Sequence, residues 1–152
     1  MKIFLLTHER ELNRKTNTGA IAIDHSLGLV ERILWERVNP NSDLVELFAN
    51  NKALLLYPCD SDLSADIEDF DNIVVIDSTW QEAQKIYNRS PYLKAAPTAV
   101  LSPEYQSAFQ LRRNQRAGGL CTIECVIELL RIKGREQLAD ALASKFNLFN
   151  QR

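Results

Sequence analysis

The sequence predicts an α/β fold, a single domain with a mostly parallel sheet flanked by helices. Two fully apolar runs and one abrupt transition carry that reading. Ile73-Val74-Val75-Ile76 places four β-branched residues in succession, and Ala53-Leu54-Leu55-Leu56-Tyr57-Pro58 is a second uninterrupted apolar stretch. Strands buried on both faces read this way, because crossover helices cover a parallel sheet on each side. The first run then breaks into Asp77-Ser78-Thr79-Trp80 and turns helical, with Ser78 or Thr79 able to cap the helix. Asp77 thereby falls at the carboxyl end of a strand, the place where open α/β sheets bind ligands.

The remaining elements follow in chain order. Lys2 to Thr7 is a first strand that delivers His8, Glu9 and Arg10 to its carboxyl end. Asn13 to Gly19 is rich in side chains that bond backbone and closes in Gly, so it is a turn. Its two hydroxyls, amide and glycine could equally cradle a carboxylate or phosphate. Ala20 to Leu27 is ambiguous between helix and strand, and Leu29 to Val38 alternates charged with apolar residues as a strand does. Asn39-Pro40-Asn41 ends it, and Ser42 is the expected N-cap of a helix through Phe48. Pro58 closes the Ala53 strand, because proline donates nothing to a ladder. A helix from Thr79 to Asn88 is expected to stop at Arg89-Ser90-Pro91, followed by short strands at Ala99–Leu101 and at Phe109–Arg112. Ile123 to Ile132 and Gln137 to Phe149 carry apolar stripes at helical spacing that pack a core.

Composition narrows the function classes. The 152 residues, 45% hydrophobic, suffice for one buried core and not for two ordinary domains. A formal net charge of −2 means that nucleic-acid binding, if present, comes from a local patch. Three cysteines, Cys59, Cys121 and Cys125, are too few for a disulfide scaffold, and neither histidine lies near the last two in sequence. Reduced core thiols in a cytoplasmic protein are expected, with no metal site. The acidic run from Asp66 to Asp71 lacks calcium-loop spacing and reads as a solvated face. The amino-terminal apolar run is too short for a secretory signal, and no stretch approaches the roughly 20 residues that span a bilayer.

A second chemically dense stretch runs from Arg112 to Glu124. Arg112, Arg113 and Arg116 precede Gly118-Gly119-Leu120, and a helix with Thr122 near its start follows. Glycines admit a ligand to the backbone and a helix start attracts an anion, although an exposed basic loop would have the same composition.

Thr7-His8-Glu9-Arg10, Lys15-Thr16-Asn17-Thr18-Gly19, Leu55-Leu56-Tyr57-Pro58, Asp77-Ser78-Thr79-Trp80 and Cys121-Thr122-Ile123-Glu124 together resemble the ordered motif set of the DTW-domain family. These are tRNA-uridine aminocarboxypropyltransferases related to the SPOUT methyltransferases. The resemblance implies a SPOUT-like fold, admits a C-terminal trefoil knot and a homodimer, and implies a soluble, cytoplasmic enzyme of tRNA modification. Its reaction would move the 3-amino-3-carboxypropyl group of S-adenosylmethionine to N3 of a uridine in tRNA, releasing methylthioadenosine. Many members also carry an amino-terminal cysteine cluster that looks like a zinc site, and this sequence shows none.

Carried onto this sequence, the resemblance makes Asp77 and Thr79 the catalytic candidates, with Asp77 serving either as base or as a group that orients the cofactor. Tyr57, Pro58, Asp77, Trp80, Gly118, Gly119, Leu120, Thr122 and Glu124 are then the expected cofactor contacts, Trp80 by stacking unless it packs the core. His8, Glu9, Lys15, Thr16, Asn17, Thr18 and Gly19 would line the site from the opposite side, with Arg10, Arg14 and Lys15 as a basic cluster there, although His8 alone could be a structural residue. With Arg112, Arg113 and Arg116 they form the expected RNA-binding set, whose phosphate contacts position RNA without reading its sequence. The alternatives are a non-catalytic RNA- or nucleotide-binding module on the same fold, and the same transfer onto another substrate.

Overall fold

The computed structural model describes residues 1–15, 17–58, 64–101 and 121–150. Among these, five parallel strands form one sheet: β1 (Lys2–Thr7), β2 (Val30–Leu34), β3 (Ala53–Leu56), β4 (Asn72–Asp77) and β5 (Thr98–Ala99), in the order β2-β1-β4-β3-β5. Six α-helices accompany them: α1 (Gly19–His25), α2 (Ser42–Ala49), α3 (Trp80–Asn88), α4 (Pro91–Lys94), α5 (Thr122–Ile132) and α6 (Glu136–Asn150).

Alternation along the strands sends successive side chains to opposite faces of the sheet. Ile3, Leu5, Val30, Leu54, Ile73 and Val75 join Ile123, Val126, Leu130 and Leu142 in one core. Phe4, Leu6, Leu55 and Val74 join Leu44, Phe48, Ile86 and Leu93 in the other. Helices α1, α5 and α6 therefore cover one face, and α2, α3 and α4 the other.

The central pair β1 and β4 fixes where a site can form. The chain leaves β1 through α1 towards β2 on one side, and leaves β4 through α3 and α4 towards β5 on the other. Adjacent parallel strands whose connections diverge leave a crevice beyond their carboxyl ends. Thr7 and Asp77 are register partners at that point.

Several boundaries differ from the sequence-based expectation. The N-cap of α2 is Asn41, whose side-chain oxygen accepts from the Leu44 N–H at 3.1 Å, in place of Ser42. The ambiguous Ala20 region is helical, and β2 ends at Leu34 instead of reaching Val38. The strand expected at Ala99–Leu101 is Thr98–Ala99, and the expected stop at Pro91 opens the single-turn α4, with proline at a first-turn position that needs no N–H donor. The strand expected at Phe109–Arg112 lies outside the described residues, as does the segment whose course would decide a knot. No helix among the described residues is long and apolar enough to cross a membrane.

The start of α3 is locked by a reciprocal pair. Thr79 Oγ1 accepts from the Glu82 N–H at 3.3 Å, and the Glu82 carboxylate accepts from the Thr79 N–H at 3.3 Å. Burial pushes the Glu82 carboxyl up. The Thr79 N–H, the Arg14 guanidinium, the Thr79 hydroxyl and His8 together outweigh it, so the net shift is below the ordinary value of 4.5. A folded value below the unfolded one means that ionised Glu82 contributes stability fully present above about pH 4.5 and lost as pH falls through the folded value. Urea denaturation of wild type and Glu82→Gln across pH 3 to 7 is therefore expected to give a gap that is widest near neutrality and closes on acidification; a gap that widens at low pH would contradict this assignment.

Candidate functional site

Asp77 is 1% exposed and lies where four other segments of the chain meet. Its Oδ1 accepts from the Thr122 hydroxyl at 2.8 Å and from Asn17 Nδ2 at 3.1 Å, and Asn17 Nδ2 also lies 3.1 Å from Oδ2. The Thr7 hydroxyl is 3.3 Å from Oδ2 and 3.1 Å from the Leu5 carbonyl, so its single proton serves one acceptor at a time. Arg32 Nη2 stands 3.6 Å from Oδ2. A buried carboxylate needs such company, because an unpaired charge in the interior is strongly disfavoured.

Asn17 uses its whole amide. One hydrogen of Nδ2 faces Asp77 and the other reaches Glu11 Oε2 at 3.3 Å, while Oδ1 accepts from the Ala20 N–H and from Arg32 Nη2, both at 3.0 Å. The Ala20 bond caps the first turn of α1. Thr18, next along, turns away from its own helix and accepts from the Ile123 N–H at 3.1 Å, inside the first turn of α5. Glu124 Oε1 accepts from the Cys121 N–H at 3.0 Å. The start of α1 thus satisfies a backbone donor of α5, while the Ala20 and Cys121 N–H groups are satisfied by side chains of their own helix starts.

Gly19 sits inside this junction. A Cβ there would lie 2.8 Å from Asp77 Oδ2 and 3.2 Å from Leu5 Cδ1. The glycine is required by close approach and not by an unusual backbone angle.

A chain of charges continues outward. Arg14 bridges the fully buried Glu11 at 3.1 Å and Glu82 at 3.5 Å. Arg10, 69% exposed, stands 3.9 Å from Glu82. His8 Nδ1 accepts from the Arg10 N–H at 3.1 Å and lies 3.9 Å from the Glu82 carboxylate. The His8 ring stacks on Trp35 at 6.0 Å between centroids.

A third grouping is aromatic. Tyr57 stacks on Tyr87 at 4.1 Å and on Trp80 at 5.8 Å between ring centroids. Trp80 and Tyr87, seven apart on α3, share one helix face.

The structure therefore brings together Thr7, Asn17, Thr18, Gly19, Asp77, Thr122 and Glu124 from four of the sequence motifs. Thr79 caps α3 beside them, and His8 and Arg10 join through Glu82. Tyr57 and Trp80 stand together in the aromatic ladder, whereas Glu9, Lys15 and Pro58 are exposed. Thr16, Arg112, Arg113, Arg116, Gly118, Gly119 and Leu120 lie outside the described residues. Sequence reasoning missed Arg32, Glu11, Glu82 and Tyr87. Alternation along β2 does put Arg32 on the same face as the core residue Val30, which was the available signal. Cys121 packs into the core and Cys125 against it, and burial with the nearby Glu124 charge raises both thiols, Cys125 to about 12.

The family model of the DTW domain matches residues 1–152, the whole chain. The protein belongs to the DTW family. That family is related to the tRNA-uridine aminocarboxypropyltransferases and is tied to tRNA modification. No solved structure matches the chain. Among the DTW residues, the aspartate for which the domain is named is the buried hub just described, and the family's T-x-E segment supplies both a donor to it, Thr122, and a helix-capping carboxylate, Glu124.

Two substitutions test the hub. Asp77→Asn replaces an accepting oxygen with a donor that faces other donors, and is expected to lower stability by about 3 kcal/mol in urea denaturation. Gly19→Ala forces apart Asp77 and Leu5 and is expected to destabilise by about 1–3 kcal/mol. Wild-type stability in either variant would show that the junction rearranges freely.

Proposed function

We propose that this DTW protein transfers the 3-amino-3-carboxypropyl group of S-adenosylmethionine to N3 of a uridine in tRNA. In that reaction N3 bonds to the γ-carbon, the carbon–sulfur electron pair neutralises the sulfonium as methylthioadenosine leaves, and the N3 proton is released. The observation that carries this reading is the convergence of four family motifs on one carboxylate at the crevice between β1 and β4.

Charge supports it. Among the described side chains at least half buried around the hub, the carboxylates of Glu11, Asp77, Glu82 and Glu124 outnumber the guanidiniums of Arg14 and Arg32 by two. S-adenosylmethionine carries one net positive charge at neutral pH, so a binding crevice with this excess complements it.

The geometry favours an orienting role for Asp77 over proton transfer. Oδ1 accepts from Thr122 and Asn17, and Oδ2 faces Asn17, Thr7 and the Arg32 guanidinium, so an incoming proton would meet donors at both oxygens. Asp77 then holds the Asn17–Gly19 loop and the start of α5 in place. Thr79 shapes the opposite wall by capping α3. Trp80 and Tyr57 offer aromatic faces for adenine or uracil, with Pro58, Thr122 and Glu124 along the same walls. Arg10, Lys15 and the arginines at 112, 113 and 116 serve as phosphate contacts whose grip weakens with salt.

Incubation with S-adenosylmethionine and bulk tRNA, followed by mass spectrometry, is expected to yield methylthioadenosine and an aminocarboxypropyl-uridine in equal amounts. Cofactor binding without either product would sink the transfer and favour a non-catalytic binding module. Methylthioadenosine formed without modified tRNA would move the transfer to another acceptor.

A further inference from the structure

We infer that Arg32 is the residue that holds the α-carboxylate of the transferred aminocarboxypropyl group, an assignment that rests on the reading above. Arg32 stands on β2, in a row whose neighbours are Leu5 of β1 and, beyond it, Val75 of β4. An arginine in that apolar row requires a reason. Its guanidinium has five N–H donors, of which one makes a hydrogen bond among the described residues, Nη2 to Asn17 Oδ1 at 3.0 Å. The 3.6 Å separation from Asp77 is an ion pair without a hydrogen bond. Nε is buried with no partner among the described residues. Leaving a buried donor unpaired is disfavoured, and a carboxylate lying in the guanidinium plane, along its Nε edge, would satisfy Nε and a neighbouring N–H together.

Access separates Arg32 from the rest of the hub. Its side chain is 24% exposed, against 1% for Asp77. A small ligand approaching the exposed part of the Arg32 side chain would leave Asp77 behind it. Three-quarters burial suits the end of a small molecule better than a phosphate on a bulky RNA. The start of α5, the place where the sequence suggests a carboxylate would bind, already has its Ile123 N–H bonded to Thr18. Asn17 and Asp77 act on Arg32 as positioning residues: the amide oxygen fixes Nη2, and the carboxylate holds the charge in place.

The test compares two ligands that differ only by this carboxylate, S-adenosylmethionine and its decarboxylated analogue, by isothermal titration calorimetry on the full chain. Wild type is expected to bind S-adenosylmethionine roughly 10- to 100-fold more tightly than the analogue. Arg32→Gln is expected to erase that preference by weakening S-adenosylmethionine alone. Arg32→Lys, which keeps the charge and loses the planar fork, should retain part of it. A preference that survives in Arg32→Gln, or an equal loss for both ligands, would overturn the assignment while leaving the transferase reading intact. The same holds if Arg32→Gln weakens only tRNA binding. If Arg32→Gln does not fold, the decision passes to Arg32→Lys, where an undiminished preference or a loss equal for both ligands overturns the assignment. Failure of wild type to bind either ligand would remove the reading on which the assignment depends.

Discussion

A single carboxylate with almost no access to water organises this molecule. Asp77 ends the central strand β4, and its two oxygens collect donors from Thr7 on β1, Asn17 before α1 and Thr122 at the start of α5, with the Arg32 guanidinium of β2 as an ion-pair partner. Removing such a group from solvent is tolerable only when every lone pair finds a donor. The segments that provide those donors are therefore held at fixed positions relative to the sheet. Because these segments come from sequence positions more than 100 residues apart, the hub is also what makes them one site.

Topology explains why the hub lies where it does. In a parallel sheet all strands end on one edge, and at the adjacent pair β1 and β4 the outgoing connections run apart, from β1 towards β2 and from β4 towards β5. The loop after β1 and the helix after β4 consequently leave open space, and the chain returns through α5 to close one side of it. Thr18 and Ile123 tie the two helix starts together, and Glu11, Arg14 and Glu82 tie the loop after β1 to α3. Helix starts that would otherwise leave N–H groups unsatisfied become the junctions of the site.

Rigidity of this kind suits group transfer, where alignment of nucleophile, carbon and leaving group is a large share of the barrier. A carboxylate already occupied on both oxygens is better placed to hold geometry than to exchange protons. Arg32 differs from its neighbours in retaining both an unpartnered buried donor and a path to solvent. The aromatic ladder of Tyr57, Trp80 and Tyr87 provides flat surfaces of the kind that nucleobases stack on.

The sequence by itself determined the strands β1, β3 and β4, because their apolar runs are too short for buried helices and end at turn-forming residues, and it determined that Asp77 ends one of them. It also determined the helices α5 and α6 from their apolar stripes, and the motifs from which the family follows. Local chemistry that depends on competing neighbours was less legible: Asn41 rather than Ser42 caps α2, and a proline that reads as a stop begins a turn of helix. Only the tertiary structure decided that Arg32, Glu11 and Glu82 belong with the motif residues. Alternation along β2 gives the face that Arg32 occupies, but its approach to Asp77 depends on strand order, and the ties of Glu82 to Arg14 and Arg10 depend on the loop after β1 meeting α3. It likewise turned Asp77 from an acid at a strand end into the buried point on which four motifs converge, since the number of donors around a carboxylate depends on which segments the fold brings to it.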